Sequence, residues 1–398
     1  MSVLHVATGI DLDNTAWGYS YRSTEELRWA WWIFRLLRWG GLVKALNGVG
    51  SRALRWGLPV EPVLRATLGR LFLGGETLEE ALRVAKNLGQ YGVQVLLDYA
   101  VEASEEASEQ ESAFLAYQEM IRFAGQHREL IPSVAVKLTA LAPPLVWQQK
   151  SAGRLSSALT PLYEKGVERT WALAQLAVQE GVILMVDAEE SWLQGAIDEL
   201  VEGLMAEVNK ERPILYTTVQ MYRRDRLEYV QGLLRRMHGY KPGIKLVRGA
   251  YVEKERRHAA EYGWPDPIHP DKVSTDIAYD QALMLCLEAL SEVGLCVATH
   301  NRTSCMKAAQ YVIMEGIDRQ HPHLSFSQLY GMADPLSFGL AKASFRVYKY
   351  LPFGPLRRAF PYLSRRAEEN SSLSDQSGRE LRWISEELER RQKRKSGQ

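Results

Sequence analysis

Gly181–Glu190 reads GVILMVDAEE, an unbroken apolar run that closes on Asp187, Glu189 and Glu190. A short β-branched run without apolar–polar alternation implies a strand buried on both faces, as in a parallel sheet. Seven other runs share the form: GVQVLLDYA from Gly92, SVAVKLTAL from Ser133, ILYTTVQMY from Ile214, GIKLVRGAY from Gly243, GLCVATHN from Gly294, LSFSQLYGM from Leu324 and SFRVYKYLPFG from Ser344. Each is separated from the next by enough chain for a helix. Eight such units predict an α/β fold, a (β/α)8 TIM-type barrel rather than an open doubly wound sheet. No GxGxxG follows any run, which also argues against a dinucleotide-binding open sheet. The expected division is a helical arm over residues 1–91, a barrel over 92–370 and a charged helical tail over 371–398.

The polar ends of these runs carry the functional argument. They hold Asp98 and Glu102, Lys137 and Thr139, Asp187, Gln220, Lys245 with Arg248 and Tyr251, Thr299 with His300 and Asn301, Gln328, and Lys349 with Tyr350. Barrel enzymes place their active site at the C-terminal ends of the strands. A single polar strand end means little, but the same asymmetry in all the runs points to a catalytic mouth.

Tyr350–Asn370, YLPFGPLRRAFPYLSRRAEEN, reads as a strand end, a turn at Pro352–Pro355 and a helix. At about 100° per residue, Tyr362, Arg365, Arg366 and Glu369 share one arc. Leu356, Phe360, Leu363 and Ala367 share another, the expected packing face. Alone, the polar arc reads as a solvated face with an i,i+4 ion pair. Beside a polar mouth it reads as a clamp for a small carboxylate, because guanidinium forks match carboxylate oxygens two at a time.

Composition narrows the classes. The chain has 398 residues, 46% hydrophobic and 24% charged, with a net charge of +1. That suffices for a large core and lacks the basic excess of a nucleic-acid binder. Cys286, Cys296 and Cys305 have neither zinc-site nor CxxC spacing. No apolar run is long enough to span a bilayer and the N-terminus lacks a signal-peptide core, so a cytoplasmic location is expected. A catalytic metal is not expected either. His321 and His323 precede the seventh run, His300 stands alone, and His258, His269, Asp266 and Asp271 lack ligand spacing. Lys137 or Lys245 could instead serve a Schiff-base lyase or aldolase, or each could be an ion-pair partner, for example Lys137 with Asp187.

In the arm, Ser23 and Glu26 form a capping box ahead of a helix rich in tryptophan. Trp17, Trp29, Trp31, Trp32 and Trp39 alternate with Arg28, Arg35 and Arg38. This suits either an interfacial membrane helix or a helix wrapped on the main domain. Thr77 and Glu80 form a second expected box. The tail, ending RRQKRK, reads as a solvated helix or as a contact for anionic lipid.

The motifs LLDYAVE, VAVKLTAL, DAEES, VQMYRR, KLVRGAY, ATHN, QLYGMAD, YLPFG and PYLSRRAEEN, in this order from about Gly75 to Asn370, resemble those of proline dehydrogenases. Asp13-Asn14-Thr15 and the order of Lys245 and Arg248 resemble the single-function branch. The resemblance implies a distorted barrel with FAD across the strand ends and oxidation of L-proline to Δ1-pyrroline-5-carboxylate by hydride transfer to the flavin. It also implies electrons passed to a membrane quinone, a peripheral position on the inner face of the cytoplasmic membrane, and a separate dehydrogenase for the product. Arg365, Arg366 and Lys137 would hold the substrate carboxylate, and Tyr350, Tyr362 and Leu329 would shape the ring slot. Asp187 would line the pocket, Glu369 would steady the arginines, and Glu102 would gate Arg365. Gln220, Lys245, Arg248, Gly249, Ala250, Tyr251, Thr299, His300 and Asn301 would hold FAD, with Lys245 expected near flavin N5. Tyr350 implies preference for proline over 4-hydroxyproline.

Overall fold

The computed structural model describes residues 9–39, 41, 43, 48, 52, 56, 61–372 and 374–397. Eight parallel strands follow one another around a closed barrel: β1 (Val93–Tyr99), β2 (Ser133–Val136), β3 (Ile183–Val186), β4 (Leu215–Gln220), β5 (Gly243–Val247), β6 (Gly294–Ala298), β7 (Leu324–Leu329) and β8 (Val347–Phe353). All eight expected runs form strands. Several stop sooner than their apolar pattern suggested. β2 ends at Val136, and Lys137 caps a short 3-10 turn over Leu138–Ala140. β8 continues through Pro352 to Phe353, so the following turn is confined to Gly354 and Pro355.

The main helices are α1 (Thr24–Leu37), α2 (Leu78–Gly89), α3 (Ala107–Gln126), α4 (Thr160–Glu180), α5 (Ser191–Val208), α6 (Arg226–Arg236), α7 (Lys272–Glu288), α8 (Arg302–Met314), α9 (Asp334–Lys342), α10 (Leu356–Ser372) and α11 (Ser374–Lys395). Gly181 ends α4 in the left-handed conformation, φ 66°. This lets Val182 donate back to Ala177 O as the chain turns into β3.

Residue contacts divide the chain into two compact units, one of residues 1–102 with 328–398 and one of residues 103–327. In the first, β1 pairs with β8 in a register that sets Leu96 against Tyr350 and Val95 against Lys349. The capping box at Ser23 and Glu26 is present. At the second expected box, Thr77 caps as predicted, but the Glu80 carboxylate accepts from Glu76 N–H rather than from Thr77. Glu80 prefers the preceding residue because Gly75, at φ 135°, folds that backbone over it. α1 buries Leu27, Ala30, Ile33, Phe34 and Leu37, while Trp32 and Trp39 remain 57% and 71% exposed. The arm helix thus packs through its aliphatic face and keeps an aromatic and basic outer face. Most of the patterning expected between residues 40 and 60 lies outside the described residues. α11 is not a wholly solvated helix. Trp383, Ile384 and Glu387 are buried, and Arg391 donates to Tyr19 O, Arg22 O and Thr24 Oγ1.

In the second unit, β2 through β6 form continuous ladders, with Thr218, Lys245 and Cys296 level across β4, β5 and β6. The three cysteines are buried and unpaired by disulfides; burial pushes the Cys286 thiol up to about 12. They behave as small core residues.

Candidate active site

The first unit carries the guanidinium pair. On α10, Leu356, Phe360, Leu363 and Ala367 are buried as the packing face, and Tyr362 is buried beside them. Arg365 donates two hydrogen bonds to Glu102, from Nη1 to Oε2 at 2.8 Å and from Nη2 to Oε1 at 2.5 Å. This is a fork-on-carboxylate pair, and its side chains keep 27% and 29% exposure. Arg366 turns the other way. Its Nη2 donates to Glu369 at 2.6 Å, its guanidinium lies 5.4 Å from the Tyr362 ring centre, and its buried Nε has no hydrogen-bond partner. A buried guanidinium N–H without an acceptor is costly, so this edge is suited to an incoming anion. Burial pushes the Glu369 carboxyl up, while Arg366 and Arg365 pull it down. Glu369 pairs with Arg366 at i,i+3. Pro361 lies inside the helix just ahead of this group.

Tyr350 and Leu329 belong to the same unit and are joined through Tyr330, whose N–H donates to Tyr350 O at 2.9 Å. Lys349, read from sequence with the polar strand ends, is instead fully buried. Its ammonium reaches Met332 O, Leu329 O and Asp334.

The second unit carries a distinct set on adjacent strands. Lys245 pairs with Asp187, and both are largely buried. β5 thus supplies Asp187 with a cation across β4. Lys137 itself is buried, and its N–H donates to Tyr117 Oη at 3.2 Å. Arg248 donates to Asp276 at 2.6 Å, Thr299 Oγ1 at 2.5 Å and Ser304 at 3.0 Å, and lies over the Tyr279 ring. Gln220 donates to Glu189 O at 2.7 Å, and Thr139 donates to the Glu189 carboxylate at 2.6 Å. Asn301 caps α8, accepting from Thr303 and Ser304 N–H. Gly249 holds φ 124° directly over the Tyr222 ring, where a Cβ would come within 2.3 Å. Ala250 is exposed, and Tyr251 caps the short helix Val252–Glu261. His300 follows Thr299 in the same turn.

Asp276, Ser304 and Asp334 complete these groups and were not singled out from sequence. Asp276 lies four residues after Lys272 on α7, where it reads as an ordinary surface pair. Asp334 sits in QLYGMAD but carries no local sign of burial. No group of side chains suited to a metal occurs among the described residues.

The proline dehydrogenase family model matches residues 81–379. The chain is 32% identical over 331 residues to the carbapenem antibiotics biosynthesis protein CarD of Pectobacterium carotovorum subsp. carotovorum, covering 82% of this chain and 85% of that protein. It is 31% identical over 380 residues to mitochondrial proline dehydrogenase 2 of Arabidopsis thaliana, covering 83% and 79%. Among solved structures it resembles proline utilization A from Bdellovibrio bacteriovorus inactivated by N-propargylglycine, with a TM-score of 0.67 and 25% identity. That match covers 77% of this chain and 33% of the other, so this chain spans about a third of its length. These matches leave the Schiff-base reading of Lys137 and Lys245 without support. With the family model spanning most of its length, this chain is an enzyme of the proline dehydrogenase family.

Proposed function

We propose that the enzyme oxidises L-proline to Δ1-pyrroline-5-carboxylate with FAD as its cofactor and a membrane quinone as the final electron acceptor. The observation that carries this reading is the adjacent Arg365 and Arg366 on one helix face, one closed by a releasable carboxylate and the other with a buried N–H lacking an acceptor. Two guanidiniums suit the carboxylate of a small amino acid, while Tyr350, Tyr362 and Leu329 supply apolar surface for ring methylenes. Glu102 is assigned as the gate, exchanging Arg365 with the incoming carboxylate and excluding water on closure. Lys137 and Asp187 keep the substrate-binding roles that the motif resemblance implies.

The donor set on β4, β5 and β6 fits a flavin dinucleotide. Arg248 and Lys245 offer cationic hydrogen-bond donors, Gln220 an amide, Thr299, His300 and Asn301 a polar turn at a helix start, and Gly249 a backbone without side-chain bulk. When bound there, FAD supplies the two-electron acceptor for the substrate hydride. The protein's part is to hold the ring with its nitrogen deprotonated and to keep water out. No titratable side chain is needed as a base in this reading.

Peripheral membrane attachment is proposed on the exposed Trp32 and Trp39 with Arg35 and Arg38 of the arm. No described helix is long and apolar enough to cross a membrane. The decisive experiment is the visible spectrum of the purified protein under anaerobic L-proline. Flavin bands that bleach on addition are expected; a colourless protein that cannot take up FAD, or bands indifferent to L-proline, would overturn the reading. A kcat/KM higher for L-proline than for 4-hydroxyproline is also expected, and the reverse order would remove Tyr350 as the discriminating wall.

A further inference from the structure

The loop from Leu329 to Asp334, between β7 and α9, is held in an unusual conformation by groups that the reaction itself does not use. Ala333 adopts φ 53°, ψ 37°. Only Ser344 shares a positive φ among the described residues other than glycine. The left-handed region is disfavoured for alanine by contact of its Cβ with the backbone. Such a residue persists where its surroundings over-determine it.

Those surroundings come from several directions within the first unit. Gly331, at φ 82°, lies so close to Leu71 O that a Cβ would come within 2.1 Å of it. Lys349 Nζ donates to Met332 O at 2.6 Å and to Leu329 O at 3.4 Å, and it ion-pairs with Asp334 Oδ1 at 2.8 Å. Asp334 Oδ2 in turn accepts from Tyr21 Oη at 2.8 Å and faces Arg22 at 3.2 Å. Glu380 of α11 accepts the Ala333 N–H at 2.9 Å. Lys349, Asp334, Ala333 and Glu380 are all at most 2% exposed.

Ionisable groups buried this deeply are poor choices for stability alone, since apolar residues of similar volume serve as well or better. Here the lysine and the glutamate are spent on backbone atoms of one loop, and that loop begins at Leu329. We propose that Glu380 and Lys349 are positioning residues for substrate binding. They hold the left-handed turn at Ala333 and thereby set Leu329 and, through Tyr330, Tyr350 as the wall of the ring slot. The inference rests on the substrate reading above and extends it to a helix, α11, that follows the whole barrel.

The test compares Glu380→Ala, Glu380→Gln and the double variant Ala333→Gly with Glu380→Ala. KM and kcat for L-proline are measured together with amide hydrogen exchange of the 329–334 segment and the melting temperature. Glu380→Ala is expected to raise KM about tenfold, as for a lost hydrogen bond to a charged group, with kcat within about twofold and faster exchange confined to the loop. Glu380→Gln retains the acceptor oxygen and is expected to stay near wild type. Glycine takes the left-handed turn without the Cβ penalty, so the double variant is expected to recover most of the lost affinity. Unchanged KM and loop exchange in folded Glu380→Ala protein would overturn the proposal. So would equal damage by Glu380→Gln, or faster exchange spread evenly over the chain. Should Glu380→Ala fail to fold, Glu380→Asp, which draws the carboxylate back by one methylene, is judged by the same criteria. A wild-type protein inert toward L-proline would sink the substrate reading, and loop exchange alone would then decide whether Glu380 holds the turn.

Discussion

The two cation-rich regions solve opposite problems. On β5, Lys245 and Arg248 are already satisfied by Asp187, Asp276, Thr299 and Ser304, partners that belong to the same unit. On α10, Arg365 is held by Glu102 in a pair that is more than a quarter exposed, and Arg366 keeps an inner N–H without a hydrogen bond. The first arrangement gives a rigid electrostatic floor whose geometry precedes any ligand. The second keeps its charges exchangeable, and in the function proposed above a substrate carboxylate would replace a protein carboxylate there. Reading charge density alone would have made the two regions equivalent. The difference lies in what each cation already touches.

Four measurements would break or sharpen this contrast. Lys245→Met removes the cation that β5 supplies to Asp187, and the expected loss is up to about 3–5 kcal/mol of stability, read by urea unfolding. Arg366→Met is expected to leave stability near wild type and to raise KM for L-proline roughly a hundredfold, the scale of lost charged hydrogen bonds. If Arg366→Met unfolds the protein while Lys245→Met does not, the contrast is inverted. The third measurement concerns Glu380, whose carboxyl is raised to about 7, chiefly by burial, with Asp334 adding to the rise and Arg379 and Lys349 opposing it. Its folded pKa exceeds the unfolded value, so the native state binds more protons between roughly pH 4.5 and 7. Stability contributed by the protonated form is therefore lost as pH rises through that window, with a slope of at most about 1.4 kcal/mol per pH unit. Glu380→Gln should flatten the stability profile there, and an unchanged profile would count against a titrating Glu380. The smallest effect is expected for Glu102→Gln. A pair more than a quarter exposed contributes about 1 kcal/mol or less to stability, while faster substrate exchange should appear in stopped-flow binding, together with impaired closure in Arg365→Met.

Much of this was legible in the sequence because the barrel repeats one signal. Every strand is an apolar run with a polar terminus, and the α10 periodicity separates its packing face from its guanidinium face. Partner choice was not legible. Asp187 pairs with Lys245 because β3 and β5 flank β4 at matching heights, a relation of register that no local pattern encodes. Arg248 takes Asp276 from α7, a residue indistinguishable in sequence from a surface i,i+4 partner of Lys272. Ala333 gave no warning of its left-handed turn, since the usual markers, glycine and asparagine, are absent at that position. The tail misled for the reverse reason. Its charge suggested solvent, yet Glu387 is wholly buried against Arg390 and Arg391.

The bond from Arg391 to Tyr19 O spans 372 residues, and it bears on the order in which the chain can fold. The second unit is one continuous segment, whereas the first is assembled from both ends of the chain. Contacts of such separation carry a large loop-closure cost and form late. During synthesis, residues 103–327 can therefore collapse while the arm is still waiting for α11. Until α11 emerges, the aliphatic face of α1 lacks one of the helices that cover it, an interval in which a nascent chain is exposed to aggregation.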